Sequence, residues 1–137
     1  MGHAVSAQEA VLAGRRAAEA VMHDSCVIRP IVGDTTDPTT GVVTPVYGQP
    51  VYEGKCKLQQ PKGGYPSTPD AGEHQWTLVP LFLHLPVDGS AAVSVDHLVE
   101  ITSSFDPHNV GRVLRIRSAD RKTFATATRF VVEEVAD

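Results

Sequence analysis

The stretch that decides the fold is Glu73-His-Gln-Trp-Thr-Leu-Val-Pro-Leu-Phe-Leu-His-Leu-Pro-Val87. Thr77, Val79, Leu81, Leu83, Leu85 and Val87 share one parity and are nearly all apolar, which is the period-two pattern of a strand with one face on a core. The other parity holds His74, Trp76, Leu78, Pro80, Phe82 and His84, too apolar for a plain solvated face. A strand apolar on both faces is covered on both. Pro80 adds that it lies at an edge or a bulge. Two covers fit the second face equally: an N-terminal helix, or a neighbouring subunit.

Working towards the N-terminus, a long loop precedes this strand, from Gln60 to Gly72, with Pro61, Pro66 and Pro69 around Tyr65. Loops of this length are functional or disordered. Before it, Val42 to Leu58 predicts one or two strands, with Tyr47, Val51, Tyr52, Cys56 and Leu58 as packing candidates. Asp34 to Gly41 reads as a turn-rich tip, Asp37-Pro38 starting a turn and Gly41 supplying a positive φ. Cys26–Val32 is the first strand expected. Ser6 to Met22 predicts a helix, with Ser6 as N-cap, Glu9 three residues on as in a capping box, and a narrow stripe of Val11, Leu12, Ala18 and Met22. Gly14 weakens that helix slightly.

Towards the C-terminus, Val93, Val95, Val99 and Ile101 predict a strand pair around Asp96-His97, and Phe105–Gly111 a turn. Leu114 and Ile116 point one way while Val113, Arg115 and Arg117 point the other. Ala119–Lys122 is expected to turn the chain, and Thr123–Val135 to close it with Phe130 and Val132 inward. The expected fold is mainly β. One helix (residues 1–23) precedes a small antiparallel β-barrel of about six strands with long loops (24–137), in a single domain.

Bulk properties agree. The 137 residues suit one core, 42% are hydrophobic and 20% charged, and Gly and Pro together number 21, a rate suited to short strands and turns. The net charge of −4 does not advertise a nucleic-acid partner. Arg15 and Arg16 come late in the N-terminal segment and Gln8 and Glu9 lie within it, so no signal peptide is expected; neither is a membrane span. The chain is therefore expected to be soluble and made inside the cell.

No constellation of residues carries chemistry. His3, His23, His74, His84, His97 and His108 lack His-x-x-x-His spacing, and Cys26 and Cys56 lack Cys-x-x-Cys spacing. Asp34, Asp37 and Gly41 fall short of a calcium loop. There is no Gly-x-Ser-x-Gly and no phosphate-binding glycine loop, and the adjacent Glu133 and Glu134 point to opposite strand faces. The expectation is no catalytic residue, no metal and no cofactor. One charge feature stands out: Arg112, Arg115, Arg117, Arg121, Lys122 and Arg129 are half of the twelve cations. They read as a solvated hairpin balanced by Glu133-Glu134, or as a subunit interface. A nucleic-acid patch is the weaker reading, because only Phe124 and Phe130 would be at hand to stack bases.

The order of several motifs resembles the head-to-tail stopper, or head–tail connector, proteins of tailed phages infecting actinobacteria. The carrying stretches are Gly14-Arg-Arg-Ala-Ala-Glu-Ala-Val-Met22, Asp24-Ser-Cys-Val-Ile-Arg29, Thr36-Asp-Pro-Thr-Thr-Gly41 and Val51-Tyr-Glu-Gly-Lys-Cys-Lys57. They continue in Leu83-His-Leu-Pro-Val-Asp88, Val95-Asp96, Val110-Gly-Arg-Val-Leu-Arg115 and Arg129-Phe-Val-Val-Glu-Glu-Val135. The resemblance implies a structural virion protein of the phage neck, made in the bacterial cytoplasm and forming a homo-oligomeric ring that helps retain packaged DNA and docks the tail. The portal or adaptor ring would lie on one side and the tail terminator or tail tube on the other, with genomic DNA passing through the channel. It implies no catalytic residues and no membrane partner. By the same likeness, Gln60–Gly72, with Tyr65, becomes a candidate plug or contact loop, and Asp34–Gly41, with Asp37 and Gly41, a candidate contact with the next ring. From the residues themselves, Trp76, Leu78 and Phe82 are candidates for an apolar subunit interface, and Arg115 and Arg117 for its charged register, facing Glu53, Asp88 or Asp96 of a neighbour. The alternatives are another neck or tail-completion protein, such as an adaptor or tail terminator, or a small nucleic-acid-binding barrel.

Overall fold

The computed structural model describes residues 6–60 and 81–135. The candidates Tyr65, Trp76 and Leu78, and most of the 60–72 loop, lie outside the described residues.

The helix α1 spans Ala7–Ala20, and the Ser6 side chain caps it by accepting a hydrogen bond from the Glu9 N–H at 3.0 Å. No α1 residue is buried, so the helix lies on the molecule rather than in it. Three contacts seat it: Arg15 Nε donates to the Ala125 carbonyl at 3.1 Å, Glu19 pairs with Lys55 at 3.1 Å, and Gly14 faces Thr126. A Cβ at Gly14 would stand 2.6 Å from the Thr126 methyl, so this glycine permits the close approach that its low helix propensity would otherwise argue against.

Beyond the helix come β1 (Asp24–Arg29), β2 (Ile31–Thr36), β3 (Val43–Tyr47), β4 (Tyr52–Gln59), β5 (Leu81–Leu85), β6 (Leu98–Ser103), β7 (Val113–Asp120) and β8 (Thr128–Glu134). Six of them close an antiparallel barrel in the order β1-β4-β5-β8-β7-β6, with β6 returning to β1. Closure leaves no barrel strand with an open edge. Alternation supplies the core: Cys26 and Ile28, Cys56, Leu81, Leu83 and Leu85, Val99 and Ile101, Leu114 and Ile116, and Phe130 and Val132 all point inward and are buried. Each large side chain so buried contributes about 1.5–3 kcal/mol.

The observed fold is the expected one, with three local differences. The expected strand Cys26–Val32 breaks at Pro30 into β1 and β2, because proline has no N–H for a ladder and its ring restricts the preceding residue. The expected strand pair around Asp96-His97 is the single strand β6. Val93 is buried but lies in a loop, and Asp96 adopts φ +70°, which ends any extended run there. The chain does not turn at Ala119–Lys122: β7 runs on to Asp120, and the reversal follows, with Phe124 at φ +62°.

Pro30 also sends β2 out of the barrel. There β2 and β3 pair only with each other, as an arm built on the matches Ile31↔Tyr47, Asp34↔Pro45, Thr35↔Thr44 and Thr36↔Val43. A collar of hydrogen bonds fixes its base. Gly48 N–H donates to the Pro30 carbonyl at 2.8 Å, Val51 N–H donates to the Ile28 carbonyl at 2.8 Å, and Arg29 reaches the Gly48 carbonyl at 3.4 Å.

Candidate interaction surface

The doubly apolar strand has its inner face in the core and its outer face half-buried at Phe82 and His84. The Arg129 guanidinium lies 5.7 Å from the Phe82 ring centroid, a stacking distance that shields an otherwise wet aromatic face. Ala18 of α1, His84, Asp120, Lys122 and Arg129, with Thr126 and Ala127, line a cleft of about 170 Å³. The N-terminal helix is thus the neighbour of this face at His84. Burial, then the charges of Arg129 and Lys57, hold the His84 pKa below its ordinary value of 6.5.

The basic hairpin divides into two groups. Arg117 pairs with Glu133 at 3.5 Å, Arg112 with Glu134 at 2.7 Å, and Arg115 approaches Asp96 at 4.0 Å. Arg115 stands opposite Glu133 in the β7–β8 register, and Arg117 occupies the irregularity between Ile116 and Ser118, which swings it towards the same carboxylate. Arg115 and Arg117 are therefore balanced within the chain, as a solvated hairpin would be. Asp96, considered as a neighbour's counter-charge, serves Arg115 of the same chain. Arg121, Lys122 and Arg129 form the second group. Arg121 donates to the Val93 carbonyl and lies over the Phe130 ring, and none of the three pairs with a carboxylate among the described residues. Asp120 is the one acid in the same stretch of hairpin.

The arm is the opposite in charge and in cover. Its residues from 31 to 47 carry Asp34 and Asp37 and no cation. Asp37 builds the tip: its Oδ1 accepts from Thr39 N–H at 2.8 Å and Thr40 N–H at 3.3 Å, while Gly41, at φ +75°, donates its N–H to the Asp37 carbonyl at 2.8 Å. Those backbone donors hold the Asp37 pKa below its ordinary value, so it is charged at neutral pH. Val32 is 64% exposed, Val42 and Val43 58% each, and Val46 also faces solvent.

A family profile described as "Family of unknown function (DUF6093)" matches residues 14–133, which is nearly the whole barrel and the second half of α1. The chain belongs to this family. No curated protein and no solved structure matches it.

Among the described residues of this DUF6093 chain, no three His, Cys, Asp or Glu side chains gather as a metal site would require. Cys26 and Cys56 are free and buried, and contact with Cys56 together with burial pushes the Cys26 pKa up, away from a reactive thiolate. A cleft of about 300 Å³ opens at one barrel end between His23, Asp24, Lys57, Phe105 and Asn109. Its buried acid, Asp24, accepts the Phe105 N–H at 3.0 Å and so anchors the β6–β7 connection. What sequence reading missed is the exposed valine set of the arm and the unpaired half of the basic hairpin. The first is signalled by a β-branched run bounded by Pro30 and Gly48. The second needs the β7–β8 register, because only the register shows which arginines meet Glu133 and Glu134.

Proposed function

We propose that this protein is a structural, non-enzymatic component of a phage neck: a head-to-tail stopper or connector whose copies form a ring below the portal. The observation that carries this reading is the β2–β3 arm. A two-stranded ribbon by itself is marginal in water, yet this one stands off a closed barrel with three of its valines more than half exposed. Such an element fits a subunit that completes itself in an assembly. A barrel whose strands are all paired gives such an assembly a rigid unit, and the whole-chain order of motifs adds the likeness to connectors. The related assignments, adaptor or tail terminator, rest on the same features and differ in position along the neck.

Deleting the gene from its phage is expected to leave finished tails unjoined and heads that lose their packaged DNA, with both defects repaired by the wild-type gene in trans. Normal joined particles from the deletion strain would overturn the reading. Binding of single-stranded DNA by the isolated protein, lost steeply as salt rises, would favour the nucleic-acid barrel instead.

A further inference from the structure

We infer that the arm of one copy docks on the unpaired basic hairpin of a second copy, around Lys122 and Arg129. This rests on the ring reading and names its contact. Charge is the first argument. The arm carries two carboxylates and no cation, while the hairpin from 118 to 131 carries Arg121, Lys122 and Arg129 against Asp120 alone, an excess of two positive charges. None of those three cations pairs with a carboxylate among the described residues, and Asp37 is held in its charged form. The two patches are opposite in sign and equal in magnitude.

The second argument is how the arm can bind. The barrel is closed and offers no strand edge for backbone pairing. The arm has two outer edges, but Pro45 interrupts β3, and Pro30 and Pro38 bracket β2. Strand addition is therefore disfavoured on both sides, and the arm must engage through side chains. Val43, on the same face as Asp34 by the register Thr36↔Val43 and Asp34↔Pro45, gives it an apolar surface, and beside the receiving hairpin β5 offers the half-buried Phe82 under Arg129. Arm and hairpin are different surfaces, so the contact is heterologous. Repeated from copy to copy it closes into a ring or runs on as a filament, whereas a self-complementary patch would stop at a dimer.

Charge exchange tests this directly. An arm variant carries Asp34→Lys and Asp37→Lys; a hairpin variant carries Lys122→Glu and Arg129→Glu. All four positions are exposed, so the barrel should stay folded; Asp37→Lys also removes the tip bonds from Thr39 and Thr40 N–H and Arg129→Glu the stack on Phe82, and melting temperatures should fall by only a few degrees. Sedimentation velocity of the wild type at low salt is expected to show concentration-dependent assembly. The arm variant alone and the hairpin variant alone should each associate about tenfold more weakly, since arm and hairpin then repel. An equimolar mixture of the two variants should regain assembly within about threefold of the wild type, because each reversed arm now meets a reversed hairpin. Carbodiimide coupling of mixed ¹⁴N- and ¹⁵N-labelled wild-type protein should join Asp34 or Asp37 of one isotope to Lys122 of the other. Wild-type assembly that both variants retain would mean that copies meet elsewhere, sinking the arm contact and leaving the ring standing. A wild type that never associates and gives no mixed-isotope coupling would sink both.

Discussion

The barrel and the arm are made of similar residues and differ in what surrounds them. β1 and β8 place Ile28, Phe130 and Val132 at an interior sealed by six strands. β2 and β3 place Val32, Val43 and Val46 in solvent. Both are β-branched or aromatic ribbons with antiparallel ladders, so local propensity does not separate them. Closure does. Every barrel strand has two neighbours and an inner face, whereas each arm strand has one neighbour and no core, and its order rests on cross-strand pairs such as Thr35↔Thr44 and Thr36↔Val43. Stability is thus concentrated in the barrel, while the arm leaves its valines in solvent without a core beneath them.

The contrast can be broken most forcefully from the barrel side. Phe130→Ala leaves a cavity at the centre of the core and should cost about 3–5 kcal/mol in urea unfolding, enough to unfold many domains of this size. A cost under about 1 kcal/mol would mean that the barrel is loosely packed and the contrast overstated. Asp24→Ala removes the buried acceptor of the Phe105 N–H and should cost about 1–3 kcal/mol by the same measurement. His84 sharpens the picture through pH. Its folded pKa lies below 6.5, so the unfolded chain takes up the proton more readily. This contribution to stability is whole above about pH 6.5 and is lost as pH falls through the folded value. His84→Gln should therefore flatten that part of the melting-temperature profile on the acid side. Smallest of all, Val43→Ser in the arm should change stability by less than about 0.5 kcal/mol. Arm amides should also exchange with deuterium well ahead of those in β1 and β8.

These two regions also differ in how well sequence reveals them. Alternation over Leu81–Leu85, Leu114–Ile116 and Phe130–Val132 exposes the inner faces directly, since period two is a property of each strand alone. The cap at Ser6 is equally local. Closure of β6 onto β1 is not, because pairing of distant strands leaves no trace in either one's pattern. The same limit governs the surface. Arg115 and Arg117 look like free charges until the fold brings Asp96 to the first and Glu133 to the second, and Lys122 and Arg129 stand out only by comparison. Pro30 is a break that sequence can signal, but that the chain beyond it leaves the barrel depends on what β4 and β6 already occupy.

The collar at Pro30 and Gly48 separates reach from fold. The six residues of β2 extend about 20 Å, and lengthening both arm strands by two residues would add about 7 Å while returning every side chain to its own face. A single-residue insertion in one strand would instead turn the faces over. Nothing in the barrel would register either change, since Gly48 N–H still closes on the Pro30 carbonyl below it. Under the copy-to-copy contact proposed above, such an arm is a spacer that evolution can adjust in steps of two, fitting assemblies of different diameter to one unaltered core.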